Sequence, residues 1–135
     1  YCGSLDDKDW DGIASCFTED AVSHYNHEPE ALQGGRGVAE WLHRMVAYNA
    51  TDHSISNLRI ELNGNEAFAH SYLIATLHQG DDGVGRVQVR GIDYQDKLVR
   101  VGDEWKIVER LHAPTMQFDA PSQAKLLYKG KAALL

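Results

Sequence analysis

Asp6, His53 and His78 are the residues whose types and positions could support acid–base chemistry. Asp6 follows the apolar Leu5 at the end of a short predicted helix, where the negative end of the helix dipole favours the protonated form of a carboxyl group. The simpler interpretation of Asp6 is a solvated acid at a helix end. His53 stands just before the first long predicted strand and His78 at the end of the returning strand. A hairpin that turns near residues 63–65 therefore brings the two histidines to the same edge of the sheet.

Strand alternation gives His53 the opposite parity to Leu58 and Ile60. His53 therefore shares the face of those residues only if a β-bulge interrupts the strand near residues 54–57. A histidine in a strand is also commonly no more than a hydrogen-bonded structural residue, and this alternative stays open for both histidines.

Helical periodicity predicts the elements around Asp6. The first helix ends at Asp6 and Asp7, and Asp9 is a suitable N-cap for a second helix. Four residues of this second helix recur at helical spacing and are expected to face the core: Trp10, Ile13, Ala14 and Phe17. Residues 18–20 are expected to end the helix, and residues 21–25 to form a short strand.

A glycine-containing loop and a third helix follow. Residues 26–37 contain Pro29 and three glycines, a composition typical of a loop. Beyond it, apolar residues at i, i+3, i+4, i+7 and i+8 predict an amphipathic helix: Val38, Trp41, Leu42, Met45 and Val46.

The second half of the chain has the pattern of strands. Residues 56–62, 67–77, 86–101 and 105–111 are predicted strands, separated by turn sequences that are rich in Asn, Asp and Gly. Helices followed by an antiparallel meander are typical of an α+β fold. We expect a curved antiparallel sheet packed against about three N-terminal helices, with an open conical pocket. Residues 1–120 form one predicted domain, and residues 121–135 are a tail without a clear pattern.

Composition argues against several classes of partner. The net charge is −7 and no cluster of Lys or Arg is present, so a nucleic-acid partner is not expected. No apolar run approaches the length of a membrane span. Cys2 and Cys16 lack metal or redox spacing, which favours reduced core residues in a cytoplasmic protein.

No cofactor motif stands out. The seven histidines include the close pair His24 and His27, but no third ligand lies at a usable spacing, so we expect no metal. The sequence has no glycine-rich phosphate loop after a strand and no nucleophile elbow. The chemistry is therefore expected to need no cofactor.

Five segments together carry a family resemblance: LDDKDWDGIASCF, SHY, TDHSISN, TLHQ and GIDYQDKLVRVGDEWKIVER. They resemble the SnoaL-like, scytalone dehydratase-like members of the NTF2-like superfamily, whose fold is a cone of the kind expected above. The resemblance implies that Asp6, Tyr25, His53 and His78 line the catalytic pocket. Family dehydratases of the scytalone type have a second tyrosine directly before the aspartate. This chain has Leu5 there, and Tyr1, one helical turn earlier, could supply the phenol.

The resemblance implies dehydration or cyclisation of a hydrophobic, oxygenated small molecule. His53, oriented by Asp6, would be the base, and Tyr25 with Tyr1 would donate to the developing enolate oxygen. His78 would serve as a second acid or an orienting donor. The residues expected to contact the substrate are Tyr1, Trp41, Met45 and Tyr94.

Two other classes of function remain open: a module that binds a ligand without turning it over, and a structural subunit, since fold alone does not specify function. A homodimer is also expected, because the sheet has a second apolar face to cover. The residues assigned to that face are Val87, Val89, Val99 and Ile107.

Overall fold

The protein is described here by a computed structural model covering residues 1–25, 28–81 and 84–122. Within these residues three α-helices precede most of the strands: α1 Cys2–Asp6, α2 Trp10–Ser15 and α3 Gly34–Leu42, the last continued by a 3-10 helix, His43–Ala47. Six strands form one mixed, curved sheet in this part of the chain. The strands are β1 Phe17–Tyr25, β2 Leu32–Gln33, β3 Ala50–Asn63, β4 Glu66–Asp81, β5 Val84–Val101 and β6 Glu104–Ser122.

The α+β class and the three N-terminal helices agree with the sequence prediction. The Asp9 side chain accepts a hydrogen bond from the backbone N–H of Gly12 at 3.0 Å and so caps α2 as expected. The predicted end of α2 is wrong, because Phe17 and residues 18–20 already belong to β1. The predicted loop over residues 26–37 is also too long, since β2 and the start of α3 lie within it; residues 26 and 27 lie outside the described residues.

The sequence predicted an antiparallel sheet, whereas the observed sheet contains one parallel pair of strands. The strand order is β2-β1-β6-β5-β4-β3, and β1 runs parallel to β6 while the other neighbours are antiparallel. The last strand is also much longer than residues 105–111, because β6 pairs with β5 along its whole length and reaches Ser122 opposite Gly85. Residues 121 and 122 of the predicted tail therefore belong to this strand, whereas residues 123–135 lie outside the described residues.

A bulge in β3 fixes which side chains face the helices. Ser56 pairs with Tyr72 and Arg59 with His70, so two residues of β3 stand opposite one residue of β4. Asn57, in this bulge, has a φ of 52°. The bulge reverses the parity of β3, so that Ile60 joins the face on which His53 lies.

The core lies between the helices and the inner face of the sheet. Val38, Leu42 and Met45 are buried there with Phe17, as predicted, and Trp41 packs against them while half-buried. Ile107 is only 6% exposed and belongs to this core, so its assignment to the second face of the sheet is wrong. Its neighbour in β1 is Phe17, a pairing that no local pattern in the sequence indicates.

The opposite face of the sheet, called the outer face below, carries exposed apolar side chains. They are Phe68, Tyr72 and Ile74 of β4 with Met116 and Phe118 of β6, each between 40% and 52% exposed. Val87, Val89 and Val99 have the parity of this face.

Among the described residues, no helix combines the length and hydropathy that a membrane crossing would require.

Two glycines of α3 provide a test of how closely the helices pack. A Cβ at Gly35 would overlap the backbone carbonyl oxygen of Ala14 in α2, whereas a Cβ at Gly37 would have its nearest neighbour, Leu32, 4.0 Å away. We expect Gly35→Ala to lower the free energy of unfolding by about 2 kcal/mol through overpacking. The matched Gly37→Ala variant should raise it by about 0.5 kcal/mol, because alanine favours helix. Urea unfolding followed by circular dichroism measures both; equal effects would contradict the packing seen here.

Candidate active site

Asp6 receives three hydrogen bonds from β3. Its Oδ1 accepts from the Thr51 hydroxyl at 2.8 Å and contacts His53 Nδ1 at 2.6 Å, and its Oδ2 accepts from the backbone N–H of His53 at 2.9 Å. Lys8 Nζ donates to the same Thr51 hydroxyl at 2.8 Å. An ionised carboxylate can accept from all of these donors at once. Asp6 is therefore a positioned acceptor and not a solvated acid at a helix end.

The contact with Asp6 determines how the His53 ring is used. Because a carboxylate only accepts, the proton of the neutral ring lies on Nδ1, and Nε2 presents a lone pair. No described residue makes a hydrogen bond to Nε2. The His53 side chain is 6% exposed and lines a cavity, so its open nitrogen is held in a largely enclosed space.

The cavity lies between the helices and the inner face of the sheet, and its volume is about 50 Å³, room for a few water molecules. Its walls are mostly apolar and aromatic: Leu5, Trp41, Leu42, Ala75, Leu77, Ile92 and Tyr94 are among them. Met45 also lines it. Its unbranched side chain can turn to admit a larger ligand.

Tyr25 forms one polar corner of this cavity, whose other polar lining residues are His53, Arg90, His112 and Gln117. It is 2% exposed, and its ring lies 4.5 Å from that of Trp41 and stacks at 4.4 Å on that of His112. Its hydroxyl lies 3.2 Å from the hydroxyl of Tyr1, which stands behind the cavity wall. The two phenols therefore form a pair of which Tyr25 is the member that reaches the cavity.

Burial keeps these phenols neutral. Desolvation raises the pKa of Tyr25 above its usual value, and a nearby guanidinium, that of Arg110, partly opposes this. Desolvation, followed by the neighbouring phenols Tyr25 and Tyr94, raises the pKa of Tyr1 still further. At neutral pH both hydroxyls keep their protons, so they can donate hydrogen bonds but are not suited to act as bases.

A buried ion pair stands behind the tyrosines. Arg110 donates through Nε and Nη2 to the two carboxylate oxygens of Asp96, both at 2.7 Å. The guanidinium carbon lies 4.4 Å from the ring centre of Tyr1 and 4.2 Å from that of Tyr94. The guanidinium therefore contacts the ring of Tyr1, behind the cavity wall, and the ring of Tyr94, which lines the cavity.

The structure brings together most of the residues that the sequence singled out. His53, Tyr25, Trp41, Met45 and Tyr94 line the cavity. Asp6 and Tyr1 each lie behind one of these residues and contact it directly.

His78 is the exception, and the expectation that it lies on the cavity wall is wrong. Leu73, Ala75 and Leu77 of β4 are buried in the core, so alternation places His78 on the other face of the strand. Both of its ring nitrogens are buried, and neither makes a hydrogen bond to a described residue. The hairpin does bring His78 to the edge, opposite Ala50. The partner of His53 is Ala75, however, and His78 lies three residues further along β4, an odd separation that places the two histidines on opposite faces.

Sequence reasoning missed Thr51, Asp96 and Arg110. Thr51 and Asp96 had a signal of the same kind, because a polar residue at a strand position of inward parity has to find a partner inside the protein. Arg110 lies three residues from the inward Ile107, and only the register shift between Lys97 and Leu98 brings it to the same face. Thr51 has the parity of His53, and Asp96 has that of Ile92 and Tyr94. No group of three or more His, Cys, Asp and Glu side chains suited to a metal ion occurs in the part of the chain that the structure describes.

The chain is similar to known proteins in sequence pattern and in fold. Residues 1–111 match the family model of the SnoaL-like domain. No curated protein matches the chain. A provisionally named scytalone dehydratase from Novosphingobium aromaticivorans has 24% identity and a TM-score of 0.78, over 93% of this chain and 83% of that one.

Two further solved structures have the same fold. A provisionally named aromatic ring hydroxylase, also from Novosphingobium aromaticivorans, has 22% identity and a TM-score of 0.72 over 90% of this chain and 85% of its own. The protein Rv3472 of Mycobacterium tuberculosis, carrying the substitution D26N and of unknown function, has 24% identity and a TM-score of 0.72 over 85% of this chain and 69% of its own.

The buried phenols predict a loss of stability in alkali. Because burial raises the pKa of Tyr1, Tyr25 and Tyr94 in the folded state, their contribution to stability is complete below the pKa of unfolded tyrosine, about 10, and is lost as the pH rises above it. We expect the free energy of unfolding to fall above that pH, and Tyr94→Phe to reduce the slope by about one proton. Ile92→Val, a buried control without a titrating group, should keep the wild-type slope. An unchanged slope in Tyr94→Phe would contradict the prediction.

Proposed function

Because this chain belongs to the SnoaL-like domain family, we propose that its cavity is the active site of a cofactor-independent lyase or isomerase. The reaction is dehydration or cyclisation of a hydrophobic, oxygenated small molecule, and a β-hydroxy ketone is the simplest substrate of that class. The observation that carries the proposal is the contact of 2.6 Å between His53 Nδ1 and Asp6 Oδ1 at the wall of a mostly apolar cavity.

His53 supplies the base. Its Nε2 removes a proton from the carbon next to the substrate carbonyl, and the Asp6 carboxylate stabilises the imidazolium that forms. Thr51 and the backbone N–H of His53 hold the carboxylate so that it does not rotate away during this step. The low exposure of His53 keeps bulk water from competing for its nitrogen.

Tyr25 stabilises the negative charge that develops on the substrate oxygen after the proton is removed. Its hydroxyl donates to the substrate oxygen as the carbonyl becomes an enolate, and the Tyr1 hydroxyl supports it from behind. The enolate then reforms the carbonyl and expels the β-hydroxyl group, which takes the proton carried by His53 and leaves as water. The enzyme ends in its initial protonation state, so no external oxidant or cofactor is required.

Substitutions at three residues test these roles. With a β-hydroxy ketone that the protein dehydrates, His53→Ala should abolish turnover, and Asp6→Asn should reduce kcat by about a thousandfold through loss of ring orientation. Tyr25→Phe should cost about a hundredfold, the usual effect of removing one donor to an oxyanion. Product formation is followed by the absorbance of the conjugated enone.

Two other histidines serve as controls. His24→Ala, on an exposed position of β1, should leave turnover unchanged. His78→Ala distinguishes the sequence prediction from the observed geometry. If His78 were catalytic, the substitution would greatly reduce turnover; for a histidine on the outer side of β4, turnover should hardly change. Equal turnover by wild type and His53→Ala would overturn the proposal and favour a module that binds its ligand without chemistry.

We also propose a homodimer formed through the outer face, in a reducing compartment such as the cytoplasm. The exposed apolar side chains of that face support the first part. The free thiols of Cys2 and Cys16 support the second.

Sedimentation at micromolar concentration tests the dimer. We expect the wild-type protein to sediment as a dimer and Ile74→Asp, at the outer face, to sediment as a monomer, because an aspartate would be buried there without a partner. Val46→Asp, at an exposed apolar position on the 3-10 helix, is the control and should remain a dimer. A monomeric wild-type protein would contradict the proposal.

A further inference from the structure

Arg110 is the most deeply buried charge that the proposed reaction does not use. The residue is 3% exposed, and its guanidinium donates two hydrogen bonds to the Asp96 carboxylate on the neighbouring strand, β5. The third nitrogen, Nη1, is buried and makes no hydrogen bond to a described residue. Burial of such a pair gives little net stability, because the cost of desolvating both charges offsets their attraction.

The surroundings of the guanidinium are aromatic. The rings of Tyr1, Tyr94 and Phe17 lie 4.4, 4.2 and 5.4 Å from its central carbon. Two of these rings carry phenols whose hydroxyls could reach other groups, and the Tyr1 hydroxyl does so, at 3.2 Å from that of Tyr25. An unbroken path of contacts thus leads from Arg110 through Tyr1 to Tyr25, the residue that faces the cavity.

We propose that Arg110 makes the Tyr25 corner of the cavity selective for an oxyanion, so that it binds a planar enolate or phenolate in preference to the neutral enol or phenol. Arg110 is a positioning residue in this scheme, because it acts through the two tyrosines. The inference rests on the proposed function and deepens it, since the enolate is the intermediate that such a corner would favour.

Electrostatics supports the direction of the effect. Burial raises the pKa of both Tyr25 and Tyr1, and the positive charge of Arg110 lowers the pKa of each. A phenol made more acidic by a nearby cation is a stronger hydrogen-bond donor to an anion.

The charged and titratable groups around Tyr25 and Arg110 come from β5, β6 and the residue before α1, and they are Tyr1, Asp96, Tyr94 and His112. Arg90 of β5 lines the same cavity. Asp96 opposes the cation, but its two hydrogen bonds hold the guanidinium plane fixed beside the rings.

Binding of para-nitrophenol tests the proposal without any turnover, because its phenolate is yellow and its phenol is not. The ligand is titrated into the folded protein over a range of pH, and the pKa of the bound ligand is read from visible absorbance. In the wild-type protein we expect the bound ligand to ionise about one pKa unit below the free ligand, a tenfold preference for the anion. The preference should disappear in Tyr25→Phe, which lacks the donor.

Three further variants isolate Arg110. Arg110→Met combined with Asp96→Leu removes both charges and leaves no unpaired one, so it should fold and bind the ligand without the preference. Arg110→Lys keeps the charge and should retain most of the preference. Asp96→Asn leaves the cation uncompensated and should increase it. Circular dichroism and thermal unfolding confirm that each variant is folded.

Two results would overturn the proposal. One is a wild-type protein that fails to bind para-nitrophenol or binds it as the neutral phenol, and the other is a folded double variant with the wild-type preference, which would leave Arg110 a structural role only. The binding test is separate from the test of the proposed function, because para-nitrophenol has no β-hydroxyl group to lose and its ionisation is measured without turnover. Anion preference without turnover would refute the dehydratase and keep the role of Arg110.

Discussion

The site depends on one carboxylate that joins two layers of the fold. Asp6 ends α1, and β3, at the edge of the sheet, provides all three of its hydrogen bonds described above. Hydrogen bonds to a charged group contribute about 1.5–3 kcal/mol each. The hydrogen bonds of Asp6 therefore hold α1 against β3, and one of them also selects the tautomer of His53. A substitution of Asp6 would change both the packing of the helix and the state of the His53 ring.

The inner face of β5 and β6 carries polar side chains at positions where apolar core residues are usual. At inward positions of β5 and β6, where Ile92 and Ile107 are ordinary core residues, the chain also places Asp96, Arg110 and His112. An apolar set of the same volume would stabilise the fold at least as well. A sequence that departs from the local rules of core packing in one place, while it follows them elsewhere, usually does so at a functional site. The polar inner surface of β5 and β6 is therefore best explained by the cavity, which His112 lines directly and which Arg110 approaches through the rings of Tyr1 and Tyr94.

What the sequence predicts well is what neighbouring residues encode. The cap at Asp9, the buried positions of α3 and the β3–β4 hairpin all follow from local spacing. The pairing of His53 with Asp6 joins residues 47 apart in the chain, and it was predicted only through the family resemblance. The parallel pairing of β1 with β6 has no local signal, because it joins segments far apart in the chain. The hairpin argument identified the edge at which His78 lies but not its face, since each residue of shift reverses the side. The bulge at Asn57 likewise reverses the face on which the side chains of β3 lie. The sequence indicated only that such a bulge was needed if His53 and Ile60 were to share a face.

A second histidine–aspartate pair shows what distinguishes a base from a structural histidine. On the outer face His70 Nε2 lies 2.9 Å from both carboxylate oxygens of Asp93, and Arg59 donates to its Nδ1 at 3.0 Å. Both ring nitrogens of His70 are thus occupied, and the ring has no lone pair to offer a substrate. The ring of His53 also has a carboxylate partner, but only Nδ1 contacts it. His53 lines the same cavity as Tyr25, and no described residue makes a hydrogen bond to its Nε2. The proposed role of His53 as a base therefore depends on its unengaged nitrogen beside the cavity and not on the carboxylate partner alone.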